Sequence, residues 1–380
     1  IYRLKMSQFY ILNIFIKICL IGQWIIITTS KKIFFKMIKK KISLHLNSKK
    51  SLAFEGLINS ILSTVSNINN IEIIVHTDRG DREMIRSIKK FDEKHAGLIK
   101  HIESDLIKSF ADAWKPLNLI LDKMSDSVVL VSCISDDLRF ITKNWDKIIL
   151  SYENKFKDNI YRLRCSKFKN QKYNDLWQCG YAPDSYAFYS KNWITNVGSW
   201  CPCIGPDTYH ECISYYMSEI SNKYNRNIIV KDISFDGESV STDITLKERI
   251  SRTRIYYQAF NILMSYSIQK KALEHAKKLI NNIDKNDIIH SERKIEIKIL
   301  HHKMRNLFRR FDFFKYRGSS NHPINGIFLN IIFMIWSKIK ILDFLLIHFI
   351  KYSYKKGTLK KIIKNKIQYD YLETIIKNES

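Results

Sequence analysis

The chain has 380 residues, of which 45% are apolar and 26% are charged, and its formal net charge at pH 7 is +26. This composition excludes a disordered or fibrous protein and indicates a globular chain with one large domain or two domains. The positive charge indicates an anionic partner, such as nucleic acid or a membrane surface, or else the lysine abundance typical of AT-rich genomes.

The seven cysteines, an odd number, are typical of a reducing compartment rather than of a disulfide framework. Cys201, Cys203, His210 and Cys212 are close in sequence and could suggest zinc. Their spacing matches no common paired-cysteine zinc pattern, so we predict free thiols.

The first 36 residues form a doubtful segment. Residues 9–29 are rich in Ile, Leu and Phe, but Asn13, Lys17 and Gln23 interrupt the run. Such a stretch predicts a signal or anchor segment, a peripheral helix, or an extension upstream of the true start. Met37 directly precedes the first predicted strand, and we expect the folded protein to begin there.

The next hundred residues alternate between strand and helix patterns. Short β-branched runs predict strands over 41–46, 71–77, 98–102 and 127–133. Apolar residues at three- and four-residue spacing predict helices over 48–65, 82–91 and 110–123. This alternation predicts an α/β fold with a mostly parallel sheet, right-handed crossovers and helices on both faces.

The fourth predicted strand ends in two adjacent carboxylates, Asp136 and Asp137. A buried parallel strand reads as a continuous apolar run, and ligands of open α/β sheets bind beyond the carboxyl ends of the strands. Divalent cations prefer hard oxygen ligands, so this pair suits a metal shared with substrate phosphates. The alternative is that the two residues cap the next helix.

Beyond residue 133 the pattern weakens. It predicts short strands over 160–165, 186–189 and 228–230, a helix over 207–220, and mostly helix from 246 to about 311. We therefore expect an α/β domain over 37–245, a helical region over 246–325, and basic amphipathic helices over 326–380.

Residues 326–350 are apolar and aromatic, but charges such as Lys338, Lys340 and Asp343 interrupt them. Central charges are costly in a bilayer span, whereas a helix lying in the membrane plane keeps lysines on its polar face. Further lysines follow as far as residue 366, and they favour anionic lipid heads. We expect helices that lie on a membrane surface or pack against the domain, not a bilayer span.

Three stretches resemble family 2 glycosyltransferases of the GT-A fold, which is Rossmann-like. Residues 57–64 (LINSILST) and 71–75 (IEIIV) are similar to the opening helix and second strand of that family. Residues 135–146 (SDDLRFITKNWD) are similar to a DDxxFxTxxWD variant found in some bacterial and phage-like members. The resemblance covers about residues 41–245.

The resemblance implies a metal-dependent enzyme with a nucleotide-sugar donor. Asp78, at the end of the second strand, matches the nucleotide-binding aspartate. Asp136 and Asp137 match the Asp-x-Asp motif that holds Mn²⁺ or Mg²⁺, although Ile134 replaces its first aspartate. Many members supply a late histidine as a further metal ligand, and Asp236 stands near that position here.

The resemblance also implies an acidic base for an inverting reaction. Asp207 matches that residue, and Glu211, one helical turn later, could assist or replace it. Trp200 could stack on a sugar ring. Arg162, Arg164 and Lys191 could contact the diphosphate, although no motif assigns them to it.

We expect a hexosyltransferase-like enzyme acting on a glycan, lipid-linked or protein acceptor in surface polysaccharide or glycoconjugate synthesis. It would be cytoplasmic, with peripheral binding at the inner face of the plasma membrane and no specific nucleic acid partner. One alternative is a sugar nucleotidyltransferase, but the loop at 47–51 lacks the glycines of such enzymes. A non-enzymatic basic protein that binds nucleic acid or membrane is the other alternative.

Overall fold

We describe the protein from a computed structural model. The described residues are 40–105, 107, 112–166, 176, 179, 183–203, 205–237, 245–283, 335, 339, 341–363 and 366–378. The predictions for residues 1–36, for the helix beyond 283, and for Lys338 and Lys340 lie outside these residues.

Nine strands lie in the described part of the chain. They are β1 (Lys41–Asn47), β2 (Ile71–Asp78), β3 (Ile99–Ser104), β4 (Val128–Ile134), β5 (Leu138–Phe140), β6 (Arg162–Arg164), β7 (Phe188–Ser190), β8 (Asn227–Ile229) and β9 (Phe235–Gly237). Seven of them form one sheet in the order β3-β2-β1-β4-β7-β6-β8, and β5 pairs with β9 in a separate ribbon.

The sheet is mostly parallel. β1 pairs in parallel with β2 and with β4, β2 pairs in parallel with β3, and β6 pairs in parallel with β8. β7 is antiparallel to both β4 and β6. The carboxyl ends of β1, β2 and β4 therefore lie side by side at one edge of the sheet.

The described helices lie between the strands and, beyond residue 245, after the last strand. They are α1 (Ser51–Thr64), α2 (Arg82–Lys94), α3 (Lys115–Ile120), α4 (Trp145–Leu150), α5 (Lys191–Val197), α6 (Pro206–Ile220), α7 (Leu246–Leu263), α8 (Tyr266–Asn281), α9 (Leu342–Lys355), α10 (Leu359–Ile362) and α11 (Lys366–Asn378).

Local sequence signals explain where the early helices begin and end. The Asp81 side chain caps α2 by accepting a hydrogen bond from the Met84 amide at 3.1 Å. Met84, Ile88 and Phe91 form its buried face, and Gly97 takes a left-handed conformation (φ 78°) after its end. Burial of each such side chain contributes about 1.5–3 kcal/mol.

Two apolar cores cover the two faces of the sheet. Alternation along β2 sends Ile73 and Val75 into one core and Ile74 into the other. The first of these cores contains the apolar faces of α1 and α2, and the second contains those of α3, α5 and α6. The predicted α/β class, a mostly parallel sheet with helices on both faces and helices after it, is confirmed.

Residues beyond 245 share one of these cores. Leu273, Ala276 and Ile280 of α8 belong to the same buried cluster as Tyr209 and Met217 of α6. The aromatic hydroxyl of Tyr209 also lies 3.0 Å from the Nδ1 atom of His275. The first helices of the C-terminal region are therefore part of the packing that supports the sheet.

Some elements differ from the sequence prediction. The helix expected over 110–123 is described only as α3, which begins next to Pro116, followed by a 3₁₀ turn at Leu121–Lys123. The ribbon of β5 and β9 and the short helices α4 and α5 were not predicted, because segments of three to seven residues show too little periodicity. Within the described residues, no helix has both the length and the apolar character needed to cross a membrane.

Candidate active site

The carboxylates of Asp78 and Asp136 lie at the same edge of the sheet. Asp78 is the last residue of β2, and Asp136 follows β4 by two residues. β1 lies between these strands, with Asn47 opposite His76 on one side and Leu46 opposite Ile134 on the other. The parallel register therefore brings together two residues that are 58 positions apart in the chain.

The loop after β1 contacts both carboxylates. The Ser48 hydroxyl donates a hydrogen bond to Oδ2 of Asp136 at 2.7 Å. The next residue, Lys49, places its Nζ atom 2.5 Å from Oδ2 of Asp78. Neither contact was predicted from the sequence, because this loop was considered only for its lack of glycine. The sequence signal for Ser48 and Lys49 was their position directly after β1, which ends at the same edge of the sheet as Asp78 and Asp136.

Among the described residues, one oxygen of Asp78 has no hydrogen-bond partner. Oδ2 pairs with Lys49, but Oδ1 is buried and accepts no hydrogen bond. A buried acceptor without a donor costs about 1–3 kcal/mol, so such an atom in a native structure suggests a missing partner. The hydroxyl or N–H group of a bound ligand would supply that donor.

The side chains of His76 and Asn47 form hydrogen bonds where this loop leaves β1. The Nδ1 atom of His76 lies 3.2 Å from Oδ1 of Asn47, and its Nε2 atom lies 2.6 Å from the Ser104 hydroxyl. Burial lowers the pKa of His76 to about 4, so its ring is neutral at pH 7. The Asn47 amide also donates to the Ala113 carbonyl at 3.3 Å.

The Asp136 carboxyl has an altered protonation equilibrium. Burial raises its pKa, and the neighbouring charge of Asp137 raises it further, against the hydrogen bond from Ser48. The Ser135 hydroxyl donates to Asp137. Arg139 donates to the Asp136 carbonyl oxygen at 2.9 Å, and its guanidinium lies so close to Gly56 of α1 that a Cβ atom there would clash.

The metal ligands predicted from sequence are partly brought together. Asp136 and Asp137 are adjacent. Asp236 lies on β9, directly opposite Arg139 of β5 in the antiparallel strand register. Among the described residues, no group of three or more His, Cys, Asp or Glu side chains is arranged to hold a metal ion. Magnesium often uses only one or two carboxylates together with substrate phosphates, so the Asp136–Asp137 pair fits that donor set.

The charges of both the candidate metal ligands and the predicted base affect the phenol of Tyr186. Burial raises the pKa of its phenol to about 12, and the charges of Asp137, Asp207 and Asp236 add to the shift. Carboxylates from three separate segments therefore contribute to the electrostatic environment of one side chain. Tyr186 was missed as a site residue, because within the short apolar run at 186–189 it reads as a core position.

Asp207 lies in the first turn of α6. Gly205 precedes it in a left-handed conformation (φ 102°), and Pro206 begins the helix. Burial raises the pKa of the Asp207 carboxyl, and the charge of Glu211 adds to this effect. Hydrogen bonds from the Thr208 amide (2.8 Å) and the Ser185 side chain oppose the shift. A raised pKa suits a group that accepts a proton near neutral pH.

The structure argues against Glu211 as a base. Its side chain is fully buried, and Oε2 lies 2.6 Å from Nη2 of Arg162. Oε1 accepts the Asp184 amide at 3.0 Å and lies 3.8 Å from Nη2 of Arg164. Both oxygens therefore serve a buried ion-pair network. The two arginines considered for the diphosphate belong to the same network and are almost fully buried.

The prediction for Trp200 also needs correction. Its ring is fully buried, packs edge-to-face on Tyr189 at 5.6 Å between centroids, and cannot stack on a sugar. The indole N–H donates to Nδ1 of His45 at 2.9 Å. His45 in turn lies 3.1 Å from the Ser43 hydroxyl, which donates to Glu72 at 2.9 Å. Trp200 is the end of a buried polar chain through β1 and β2.

Comparison with known proteins gives a structural likeness but no sequence match. No protein-family model and no curated protein matches the chain. A mannosyltransferase from Pyrobaculum calidifontis, solved with GDP-Man and Mn²⁺, is 13% identical with a TM-score of 0.48, over 79% of this chain and 88% of that one. Residues 1–349 of S. aureus TarS are 14% identical with a TM-score of 0.40, over 83% and 92%. Both TM-scores are below 0.5.

Proposed function

We propose that this protein is a metal-dependent glycosyltransferase that moves a sugar from a nucleotide-sugar donor to an acceptor hydroxyl. One observation supports this most directly. Asp78 and Asp136 lie on either side of β1 at the carboxyl edge of the sheet, and adjacent residues of a single loop contact both of them. Open α/β sheets bind their ligands at this edge.

The proposed donor site uses the unsatisfied oxygen of Asp78. Oδ1 would accept a hydrogen bond from the ribose or base, which would remove the cost of a buried acceptor without a partner. Lys49, which pairs with Oδ2 of Asp78, is half exposed and could also reach a phosphate oxygen. Nucleotide binding would thus depend on groups that the first two strands place together.

Asp136 and Asp137 would hold a divalent cation, Mn²⁺ or Mg²⁺, with the donor phosphates completing its ligand set. Such an ion neutralises the charge that develops on a nucleoside diphosphate leaving group. The hydrogen bond from Ser48 fixes one oxygen of Asp136, and the Arg139 guanidinium fixes the backbone of the same residue. Asp236 stands nearby on β9 as a further candidate ligand.

Asp207 would take the proton of the acceptor hydroxyl. Asp207 comes from α6, whereas Asp137 lies in the turn after β4. The charges of both carboxylates raise the pKa of the same Tyr186 phenol. A base separated from the leaving group supports an inverting displacement, in which the acceptor attacks from the far side of the sugar. From the resemblance in sequence, we extend the proposal to surface polysaccharide or glycoconjugate synthesis.

Nucleotide binding tests this function without a known acceptor. Calorimetric titration with UDP, GDP and dTDP, with and without Mn²⁺, should show binding of at least one nucleotide that weakens when the metal is removed. Release of the nucleoside diphosphate from the matching sugar donors should then require the metal. Binding of no nucleotide under any condition would refute the proposal, and pyrophosphate release from a nucleoside triphosphate would favour a nucleotidyltransferase instead.

A further inference from the structure

The outer face of α9 carries a continuous stripe of exposed side chains that is mostly apolar and ends in two lysines. The exposed positions recur every three or four residues, which is the spacing of one helix face. Phe344 and Tyr352 are 61% and 62% exposed. In chain order the stripe, which begins at the residue before the helix, consists of Ile341, Phe344, Leu345, His348, Phe349, Tyr352, Lys355 and Lys356.

The opposite face of α9 is anchored to the protein. Leu346, Ile347 and Ile350 pack into a third apolar cluster, built around Leu246 of α7 and Ile375 of α11. Arg254 of α7 pairs with Asp343 at 3.2 Å. The helix therefore has apolar residues on both faces, and within the described part of the chain only the inner face is covered. A surface apolar patch of this kind usually marks an interaction site.

Basic residues lie at the C-terminal end of the stripe. α9 ends where Gly357 adopts φ 66°, and the Thr358 amide donates back to the Ser353 carbonyl at 2.9 Å. Lys355 and Lys356 close the stripe, and Lys360 and Lys361 follow in α10, all four exposed. Asp343 is the only acidic residue in the sequence from 341 to 363, and its partner is Arg254.

We propose that the outer face of α9 docks on the surface of an anionic lipid bilayer. The helix would lie in the membrane plane, with Phe344, Leu345 and Phe349 in the acyl boundary and the lysines among the head groups. Both properties of the face, apolar and basic, match this partner. A second copy of the chain matches less well, since it carries the same lysines and a net charge of +26. The proposal is independent of the transferase function.

Vesicle co-sedimentation of the full chain tests this surface. The protein should bind vesicles of phosphatidylcholine mixed with phosphatidylglycerol, and bind vesicles of phosphatidylcholine alone much more weakly. The double variant Phe344→Ser/Phe349→Ser should weaken binding roughly 10- to 100-fold, because two large apolar side chains no longer enter the lipid. Leu52→Ser is the matched control, since Leu52 is 83% exposed on α1, away from the stripe.

The charge component has its own variant. Lys355→Gln/Lys356→Gln should weaken binding to anionic vesicles about 30-fold at low salt, from about fivefold per lysine. High salt should remove most of the difference between this variant and the original chain, because surface electrostatics are screened. Circular dichroism and nucleotide binding should be unchanged in all variants, since none of these side chains is in the core or the site.

Three results would overturn the proposal. One is equal vesicle binding by the Phe344→Ser/Phe349→Ser variant and the original chain. Another is complete loss of vesicle binding on deletion of residues 1–36, which would assign the lipid contact to that segment. The third is a concentration-dependent dimer in light scattering that the double serine variant abolishes, which would identify a second copy as the occupant.

Discussion

The carboxylates of the two halves of the large sheet differ in how fully their oxygens are paired. Among the described residues of the parallel half, Asp78 keeps one buried oxygen without a hydrogen-bond partner, and Asp136 accepts a side-chain hydrogen bond from Ser48. In the half formed by β7, β6 and β8, Glu211 uses both carboxylate oxygens in contacts with Arg162, Arg164 and the Asp184 amide. Helix α6 carries both Asp207, the proposed base, and Glu211, which belongs to the buried ion-pair network.

From this difference we propose Asp78 and Asp136 as binding groups and Glu211 as a structural one. A carboxylate whose two oxygens are both paired in a buried network fixes the packing, and breaking its ion pair leaves an uncompensated charge. A carboxylate with spare acceptor capacity at the edge of a sheet can receive a ligand. Substitutions in the first half should therefore change activity with little loss of stability, and substitutions in the second half should do the reverse.

The largest effect on activity is expected at Asp136. Asp136→Ala should abolish sugar transfer, by about 10³-fold or more, because the cation and diphosphate lose their main carboxylate. The thermal midpoint should change little. Asp126→Ala is the control, since that exposed residue precedes the same strand at the opposite edge. Full activity of the Asp136→Ala variant would remove the metal role from this residue.

Asp207 should affect turnover more than donor binding. Asp207→Asn preserves the shape but cannot take a proton, so kcat should fall by about two to four orders of magnitude. The raised pKa adds a pH test: the original chain should lose activity as pH falls through that pKa, since the protonated acid is no base. The variant should lack this acidic limb.

The control for Asp207 is Glu219→Gln, which changes an exposed carboxylate at the other end of α6. It should leave kcat and the pH profile unchanged. If Asp207→Asn remains as active as the original chain, then the proton is accepted by a different group.

The buried ion pair should dominate stability. Arg162→Met leaves Glu211 charged and without its main partner, and should lower the free energy of unfolding by about 3–5 kcal/mol. Arg162→Met/Glu211→Leu should recover part of this loss, because it removes both charges. Arg86→Met, at an exposed arginine of α2, is the control. Denaturant unfolding measures all three. A stable Arg162→Met protein with impaired nucleotide binding would contradict the division between the halves.

Asp78 should give the smallest of these effects. Asp78→Ala removes a charged hydrogen-bond acceptor, typically worth about 1.5–3 kcal/mol, so nucleotide affinity should fall roughly 10- to 100-fold. Calorimetry with the nucleotide that binds best measures this change. Asp105→Ala, an exposed carboxylate beyond the end of β3, should bind normally. Unchanged affinity in the Asp78→Ala variant would show that its free oxygen has no role in binding.

Much of the parallel half could be predicted from the sequence. The strand patterns at 41–46, 71–77 and 127–133 each match an observed strand within two residues at either end. The placement of Asp78 and Asp136 at one edge follows, because parallel strands end on the same side. β5 and β9 could not be predicted, since three-residue strands depend on a partner that is about 95 residues away in the chain.

The candidate site was less predictable than the fold. Nothing local separates Asp207 from Glu211, which lie one turn apart on the same helix. Their difference comes from Arg162, which lies on β6 and whose Nη2 atom is 2.6 Å from Oε2 of Glu211. The sequence leaves Trp200 free to stack on a sugar ring, yet His45 of β1 receives its indole N–H inside the core.

The sequence by itself determined the alternation of strands and helices, the strand that delivers Asp136, and the excess of positive charge. These depend on periodicity and composition, which are local properties of the chain. Only the tertiary structure decided which charged groups are satisfied: Glu211 by Arg162, Asp136 by Ser48, and Asp78 through one oxygen alone. The physical reason is that a side chain's hydrogen-bond partners and desolvation come from residues distant in sequence, which meet only when the sheet and helices pack.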